Sequence, residues 1–200
     1  MKQKYAGEEV LSPGTVIISA AGHCDDITKV IEPVLQKNAG SIYYINLSGD
    51  SFKLGGSSFA QILNKVGNEV PTIKDHEKFS NVFYTIQGLI KADLIAAGHD
   101  VSSGGLITTL LEMYFADTDL SADLDLSVLK ENDPVKLLFN ENCGIVFQAK
   151  DDSVEKLFRE NGIEIFKIGT VSEGRTLKIK TEGQNFNFDI PIALATSKVL

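Results

Sequence analysis

The sequence has no hydrophobic run long enough to cross a membrane, and its first residues lack the apolar core of a secretory signal. These absences predict a soluble, cytoplasmic protein without a membrane partner. Basic residues are also few, since 19 lysines and arginines stand against 27 acidic residues and give a formal net charge of -8. Such a surface repels a phosphate backbone over most of its area, so we expect no nucleic-acid partner.

Cysteine and histidine are scarce as well, with two and three residues respectively. Cys24 and Cys143 lie far apart without metal-type spacing, and the histidines share no ligand spacing. We therefore expect no zinc site. Because Cys143 lies in an apolar run, we predict a buried free thiol there rather than a nucleophile or half of a disulfide.

The remaining composition is that of an ordinary globular protein. Its 200 residues, 43% of them hydrophobic, are enough to bury a sizeable core. Strands and helices alternate without strict βαβ repetition, which predicts an α+β fold, an α/β layered sandwich whose mixed sheet is covered by helices. We expect residues 1–11 to be a lead-in from a preceding domain, closed by a turn at 12–14, and residues 12–200 to form a single domain.

Hydrophobic periodicity predicts the individual elements. Alternating or short apolar runs predict strands over 16–20, 42–47, 120–126, 143–149, 163–171, 175–181 and 185–190. Helical spacing predicts helices over 25–34, 57–66, 76–95, 104–116 and 151–161. The helix over 104–116 is apolar around most of its girth, so we expect it to lie centrally.

Two glycine-rich loops, each opening a predicted helix, carry the strongest functional signal. The first glycine loop covers residues 53–60 and the second covers residues 99–106. Glycine lets the backbone approach a ligand closely, and the first turn of a helix offers unpaired N–H groups and positive dipole charge. Gly55, Gly56 and Ser57 are therefore candidate phosphate contacts in the first glycine loop.

The second glycine loop adds a carboxylate to the same chemistry. Asp100 could hold the Mg²⁺ that accompanies a nucleotide. Ser102 could present a hydroxyl beside the N–H groups of Gly104 and Gly105, with His99 next to them. Neither loop matches the P-loop or the Rossmann fingerprint.

Helix capping is the competing interpretation of these residues, and spacing alone favours it. Ser57 would cap the first helix, and Ser102 or Ser103 the second. The glycines would then permit tight packing, and His99 would be a satisfied buried histidine. Glu141 precedes a buried strand, where capping or a turn hydrogen bond is the simpler interpretation than catalysis.

Several motifs in this order resemble the phosphoribosylformylglycinamidine synthase family. The matching segments are residues 12–20, 54–61, 99–106, 112–113 and 138–141, within a similarity that spans roughly residues 12–180. The pattern is similar to the C-terminal-type domain of the second synthetase half in the large, multidomain form. That domain belongs to the superfamily of aminoimidazole ribonucleotide synthase.

The resemblance implies an ATP- and glutamine-dependent ligase of purine biosynthesis, which converts formylglycinamide ribonucleotide to formylglycinamidine ribonucleotide. It implies Mg²⁺ and ATP or ADP as cofactors, with Asp100 on the metal and Ser102 on a nucleotide that is either turned over or structural. At Ser103 the family often has aspartate or another residue, a departure that bears on the local charge and on the strength of Mg²⁺ binding. It assigns no catalytic residue to this chain, which we expect to be inactive without the remaining synthetase and glutaminase domains.

Two alternatives remain open at this point. The chain could be a non-catalytic packing and assembly module whose glycine loops only cap helices. It could also belong to the same superfamily and serve aminoimidazole ribonucleotide, selenophosphate or thiamine-phosphate chemistry.

Overall fold

The computed structural model describes residues 2–11, 17–116 and 119–197. The strands in these ranges are β1 Lys2–Tyr5, β2 Glu8–Leu11, β3 Ile42–Asn46, β4 Ile95–Asp100, β5 Leu120–Asp125, β6 Gly144–Ala149, β7 Phe166–Glu173, β8 Thr176–Thr181 and β9 Gln184–Asp189. The helices are α1 Ser58–Ile62, α2 His76–Lys91, α3 Gly105–Phe115, α4 Pro134–Phe139, α5 Val154–Glu160 and α6 Ile190–Ser197. In the same ranges, no helix is long and apolar enough to cross a membrane.

A seven-stranded mixed sheet in the order β4-β6-β3-β7-β5-β8-β9 forms the centre of the fold. Its neighbouring strands are antiparallel except β5 and β8, which are parallel. Helices lie on both faces of this sheet, α3, α4 and α6 against one apolar cluster and α2 and α5 against the other. The predicted α+β fold, a mixed sheet covered by helices, is therefore confirmed.

Strand β3 shows why the sheet is buried on both sides. Ile42 and Tyr44 belong to the cluster that packs against α3, whereas Tyr43 and Ile45 belong to the cluster that packs against α2 and α5. All four side chains are fully buried. A strand covered on both faces reads as a continuous apolar run rather than an alternation, which is the pattern of residues 42–45.

Helix α3 is central, as its all-round apolar sequence predicts. Seven of its eleven residues are buried. Helix α2, predicted over 76–95, ends earlier at Lys91 because Asp93 takes a left-handed conformation (φ 61°) and turns the chain into β4. The short helices α4 and α6 were not anticipated from the sequence.

The segment before β3 differs most from the sequence-based expectation. Residues 12–16, which include the predicted turn and the start of the predicted strand, lie outside the described residues. Ile17 and Ile18, also predicted in that strand, lie in irregular chain and are 88% and 84% exposed. The predicted helix over 25–34 shrinks to the 3-10 turn Ile27–Lys29, where Asp26 accepts the N–H of Thr28 at 2.9 Å.

The chain after this turn covers the edge of the sheet instead of continuing a helix. The Gly98 N–H of β4 donates to the Glu32 carbonyl at 3.2 Å, and Gln36 Nε2 donates to the Ala96 carbonyl at 2.8 Å. Pro33 has no N–H and disfavours a helix at this point. The segment therefore covers unpaired backbone groups of the edge strand through hydrogen bonds, whereas the apolar side chains of Ile27 and Val30 remain 82% and 61% exposed.

Two other regions depart from the simple sequence interpretation. Residues 2–11, expected as a lead-in, contain the hairpin β1–β2. Helix α1 has only five residues, and the apolar side chains that follow its start are exposed rather than in the core. Ile62, Leu63 and Val66 are 80%, 52% and 70% exposed.

Polar side chains on the face of β3 that packs against α2 and α5 connect this strand to the start of α5. The Tyr43 hydroxyl lies 3.0 Å from Asp152 Oδ1 and 2.8 Å from Glu155 Oε1. Lys167 of β7 donates to Asp152 Oδ2 at 2.6 Å. This lysine, with smaller contributions from Ser41 and Tyr43, lowers the pKa of Asp152 to about 2.

The Asp152→Asn variant should be less stable than the wild type at neutral pH. Because the folded pKa lies below the ordinary value of about 3.9, the carboxylate stabilises the fold above that ordinary value and loses its effect as pH falls through about 2. The group is half exposed, so we expect about 1 kcal/mol or less. Urea unfolding at pH 7 and pH 3 measures the difference in free energy of unfolding between the variant and the wild type. This difference should be smaller at pH 3.

Glu160→Gln is the control for this measurement, because Glu160 contacts Lys156 at 3.7 Å in an exposed ion pair. It should change the free energy of unfolding little at either pH. If Asp152→Asn lowered the free energy of unfolding equally at pH 7 and pH 3, the lowered pKa of Asp152 in the folded protein would be contradicted.

Candidate functional site

The two glycine loops, although distant in the chain, touch each other at the surface of the fold. Ser58 Oγ and Ser103 Oγ are 2.7 Å apart and come from positions separated by 45 residues. The first glycine loop connects β3 to α1, and the second connects β4 to α3. Strands β3 and β4 both pair with β6, which brings their following loops to the same side of the sheet.

A single carboxylate joins the two loops. Glu141 Oε1 accepts the N–H of Ser58 at 2.9 Å and the N–H of Gly104 at 2.9 Å. We call this arrangement the Glu141 clasp. The sequence suggested a local capping or turn hydrogen bond for Glu141, whereas its observed partners lie 83 and 37 residues away in the chain. The anion that lies against these two amides is part of the protein itself.

The neighbours of Glu141 fix the same junction by packing. Phe139 stacks on Phe59 of α1 with ring centroids 4.6 Å apart. A Cβ placed on Gly105 would lie 2.6 Å from the Phe139 carbonyl carbon and from the Asn140 carbonyl oxygen. The start of α3 can approach this segment so closely only because residue 105 is glycine.

Asn142 holds the chain that leads into the first glycine loop. Its side chain is fully buried, and Nδ2 donates to Ser48 Oγ and to the Ser51 carbonyl, both at 3.0 Å. Its Oδ1 accepts the Lys53 N–H at 3.3 Å. Buried amides of this kind specify a loop geometry, because every lost bond would leave a polar group unsatisfied.

The candidate residues of the first glycine loop are engaged in internal hydrogen bonds. The Gly55 N–H donates to the Glu69 carbonyl at 2.8 Å, and the Gly56 N–H donates to the Val66 carbonyl at 2.6 Å. Ser57 caps α1, since its hydroxyl accepts the N–H of Ala60 at 3.2 Å. An anion could use these amides only if the internal bonds were released.

The second glycine loop begins its helix with glycine rather than serine. Gly104 is the N-cap of α3 with φ 88°, and no side chain caps the helix there. The expectation that Ser102 or Ser103 caps α3 is therefore wrong. Gly105 (φ 78°) donates its N–H to the Ser102 carbonyl at 3.0 Å, so the amides of both glycines already have partners in this structure.

Asp100 and Ser102 point to the outside of this junction. The Asp100 side chain is 76% exposed, while its carbonyl accepts from the Thr109 hydroxyl at 3.1 Å. Ser102 is exposed as well. Mg²⁺ is usually held by one or two carboxylates together with phosphate oxygens and water, a pattern that a single exposed aspartate fits. In the ranges that the structure describes, no group of three His, Cys, Asp or Glu could hold a metal by itself.

His99 lies beneath the loop rather than at its surface. Its side chain is 18% exposed, Nδ1 is 2.8 Å from the Asp100 carbonyl oxygen, and Nε2 is 3.3 Å from Glu112 Oε2. Both ring nitrogens therefore face oxygen atoms. The expected alternative of a satisfied, mostly buried histidine describes this geometry.

An apolar cleft of about 370 Å³ opens next to His99 and Asp100. Its walls come from α2, from the segment that covers the sheet edge and from strands β4 and β6, through residues such as Ile31, Ile90 and Phe147. Sequence reasoning missed this cleft, because its walls come from separate parts of the chain.

Both cysteines are free thiols, and for Cys143 this was the expectation from the sequence. Cys24 is exposed, and Cys143 is half-buried rather than fully buried. Burial raises the pKa of the Cys143 thiol, with a smaller contribution from Asp100. A thiol held in its protonated form is a poor nucleophile, which agrees with the interpretation drawn from its apolar run.

Comparison with known proteins identifies a family to which this chain is similar. The family described as "AIR synthase related protein, C-terminal domain" matches residues 42–182. The chain is 38% identical over 180 residues to a probable phosphoribosylformylglycinamidine synthase of Caenorhabditis elegans, covering 83% of this chain and 14% of the relative. It is 34% identical over 178 residues to the phosphoribosylformylglycinamidine synthase of Homo sapiens, covering 86% of this chain and 13% of the relative.

The chain thus spans a small part of the length of the curated relatives it matches. Among solved structures, it is similar to Thermotoga maritima PurL complexed with FGAR, with a TM-score of 0.63, 14% identity and coverage of 84% of this chain and 30% of that chain. The same protein complexed with ATP gives a TM-score of 0.61 at 13% identity, covering 84% and 28%. At this level of identity the structures establish the shared fold.

Replacement of Gly105 by alanine should damage the junction strongly. The new Cβ would meet the backbone of residues 139–140 at a left-handed φ, so both the contact and the conformation are unfavourable. We expect a loss of about 2 kcal/mol or more in the free energy of unfolding, measured by urea titration.

Gly88→Ala is the matched control. Gly88 lies inside α2, and a Cβ there would meet nothing within 4 Å. Since alanine favours helix, this variant should gain about 0.5–1 kcal/mol. Equal effects at the two glycines would contradict the proposed close approach of α3 to residues 139–140.

Proposed function

The chain belongs to the family of AIR synthase related protein C-terminal domains, and from this premise we propose that it is one domain of a phosphoribosylformylglycinamidine synthase. In this role it would take part in the ATP- and glutamine-dependent conversion of formylglycinamide ribonucleotide to formylglycinamidine ribonucleotide in purine biosynthesis. The observation that carries the proposal is the similarity of 34–39% identity to synthases of this name over most of the chain.

Within that enzyme, we propose that the second glycine loop contributes one side of a Mg²⁺-nucleotide site. The exposed Asp100 carboxylate would hold the metal, and the Ser102 hydroxyl would contact a phosphate. When bound, Mg²⁺ neutralises phosphate charge and fixes phosphate geometry. This chain supplies a rigid mount for the two side chains, and another domain would complete the site.

In this proposal the candidate glycines of both loops act on the loop backbone rather than on the nucleotide. The amides of Gly55, Gly56, Gly104 and Gly105 shape the loops through their internal bonds. We propose no catalytic residue in this chain. The remaining synthetase and glutaminase domains would be its partners and would supply the ammonia chemistry, in the cytoplasm.

Three observations favour the packing-module alternative. The loop amides are bonded internally, Ser57 caps α1, and the clasp already places a carboxylate against two of the amides. In that case the domain would serve assembly alone, and Asp100 and Ser102 would be ordinary exposed residues. A nucleotide-binding experiment separates the two candidates.

Asp100→Asn should weaken nucleotide binding at least tenfold, because a neutral amide holds Mg²⁺ far less well than a carboxylate. Calorimetric titration of the protein with Mg·ADP and Mg·ATP is the first measurement. The second measures the nucleotide retained by the synthase reconstituted with its remaining domains. Ser102→Ala should give a smaller loss in the same assays.

Asp25→Asn provides the matched control, since Asp25 is also an exposed aspartate beside a histidine, with Oδ1 3.1 Å from His23 Nδ1. It should leave nucleotide content unchanged. If Asp100→Asn and Ser102→Ala in the reconstituted synthase also leave it unchanged, the packing module is the better description. A product other than formylglycinamidine ribonucleotide would instead place the chain in another branch of the superfamily.

A further inference from the structure

In the Glu141 clasp, backbone amides rather than a basic side chain compensate the negative charge of the carboxylate. One carboxylate oxygen receives two backbone N–H groups, from Ser58 and Gly104, which belong to different loops. Among the described residues, no lysine, arginine or histidine forms an ion pair with Glu141. The negative charge is thus met by amides and by the positive end of α3, and hydrogen bonds to a charged acceptor are stronger than neutral ones.

The residues on either side of Glu141 leave its backbone little freedom. Asn140 is fully buried, and its Nδ2 donates to the Leu137 carbonyl at 2.7 Å at the end of α4. Asn142 is fully buried and bonded to the chain before the first glycine loop. The backbone of Glu141 is therefore held in place, and its carboxylate positions both loops.

The second glycine loop is pinned at both ends by this arrangement. At one end the Asp100 carbonyl accepts from Thr109, and at the other Gly104 donates to Glu141 while its carbonyl accepts from Thr108 at 3.1 Å. Ser102 lies between these anchors and is exposed. The position of its hydroxyl thus depends on the clasp, although Glu141 is not bonded to Ser102.

We propose that Glu141 is a positioning residue that uses its negative charge to hold the two glycine loops in register, and that a small external carboxylate can take its place. The effect on the nucleotide rests on the proposed function above. The effect on the loops themselves does not, because it follows from the two amide bonds alone.

The test compares Glu141→Ala with the wild type by thermal unfolding in sodium formate and in sodium chloride at equal ionic strength. The alanine variant leaves two converging amides without their acceptor, so we expect its Tm to fall by about 5 °C in chloride. Formate should restore most of that loss and should leave the wild-type Tm unchanged relative to chloride. Absence of a formate-specific recovery would overturn the proposal.

Two further variants sharpen this comparison. Glu131→Ala is the matched control, since Glu131 Oε1 accepts one exposed amide, from Asp133 at 2.9 Å, and joins no loops. Formate should not raise its Tm relative to chloride. Glu141→Gln keeps an acceptor oxygen without the charge, so its Tm should lie between those of the alanine variant and the wild type, without recovery in formate.

The glutamine variant also keeps the proposal testable if the alanine variant fails to fold. In the reconstituted synthase, Glu141→Gln should lower the retained Mg·ADP several-fold, through misplacement of the second glycine loop. If the glutamine variant equalled the wild type in both Tm and retained nucleotide, the proposal that Glu141 acts through its negative charge would be wrong.

The two proposals fail in different ways. If formate rescues Glu141→Ala while Asp100→Asn leaves nucleotide content unchanged, the positioning role stands and the nucleotide site is rejected. If Asp100→Asn loses nucleotide but formate rescues nothing, the nucleotide site stands and the positioning role is rejected.

Discussion

The amide bonds of Ser58 and Gly104 to Glu141 connect two loops that follow different strands, and much of the local architecture depends on that connection. The acid can reach both amides only because α3 starts close to residues 139–140, which requires glycine at position 105. The segment that carries Glu141 continues directly into β6, the strand between β4 and β3. The junction of the loops and the pairing of the sheet therefore constrain each other.

The loop backbones and the exposed side chains of this junction have different roles. Internal bonds satisfy the loop amides and keep the backbone rigid without a ligand, while Asp100 and Ser102 stay exposed on the outer side. For the nucleotide contact proposed above, loops that are already bonded internally would lower the ordering cost of binding, since fewer protein groups need to be fixed when a ligand binds.

Sequence patterns succeeded where one physical cause dominated. The apolar run over 42–45, within the strand predicted over 42–47, and the all-round apolar helix over 104–116 both reflect burial in the core, so the elements there were predicted correctly. The same reasoning failed for 25–34. There hydrogen bonds hold the segment along β4, and the side chains of Ile27 and Val30 stay exposed, so the helical spacing of apolar residues did not record a buried helix face.

The sequence by itself determined the α+β class, the two glycine loops and the family resemblance, because these depend on local spacing and on motifs in a fixed order. Only the tertiary structure decided what the loop amides bind. Glu141 lies far along the chain from Ser58, and no local pattern records that its carboxylate faces that amide and the one of Gly104. Sheet pairing brings these residues together, and hydrogen bonds that span the fold follow from that pairing rather than from neighbouring residues.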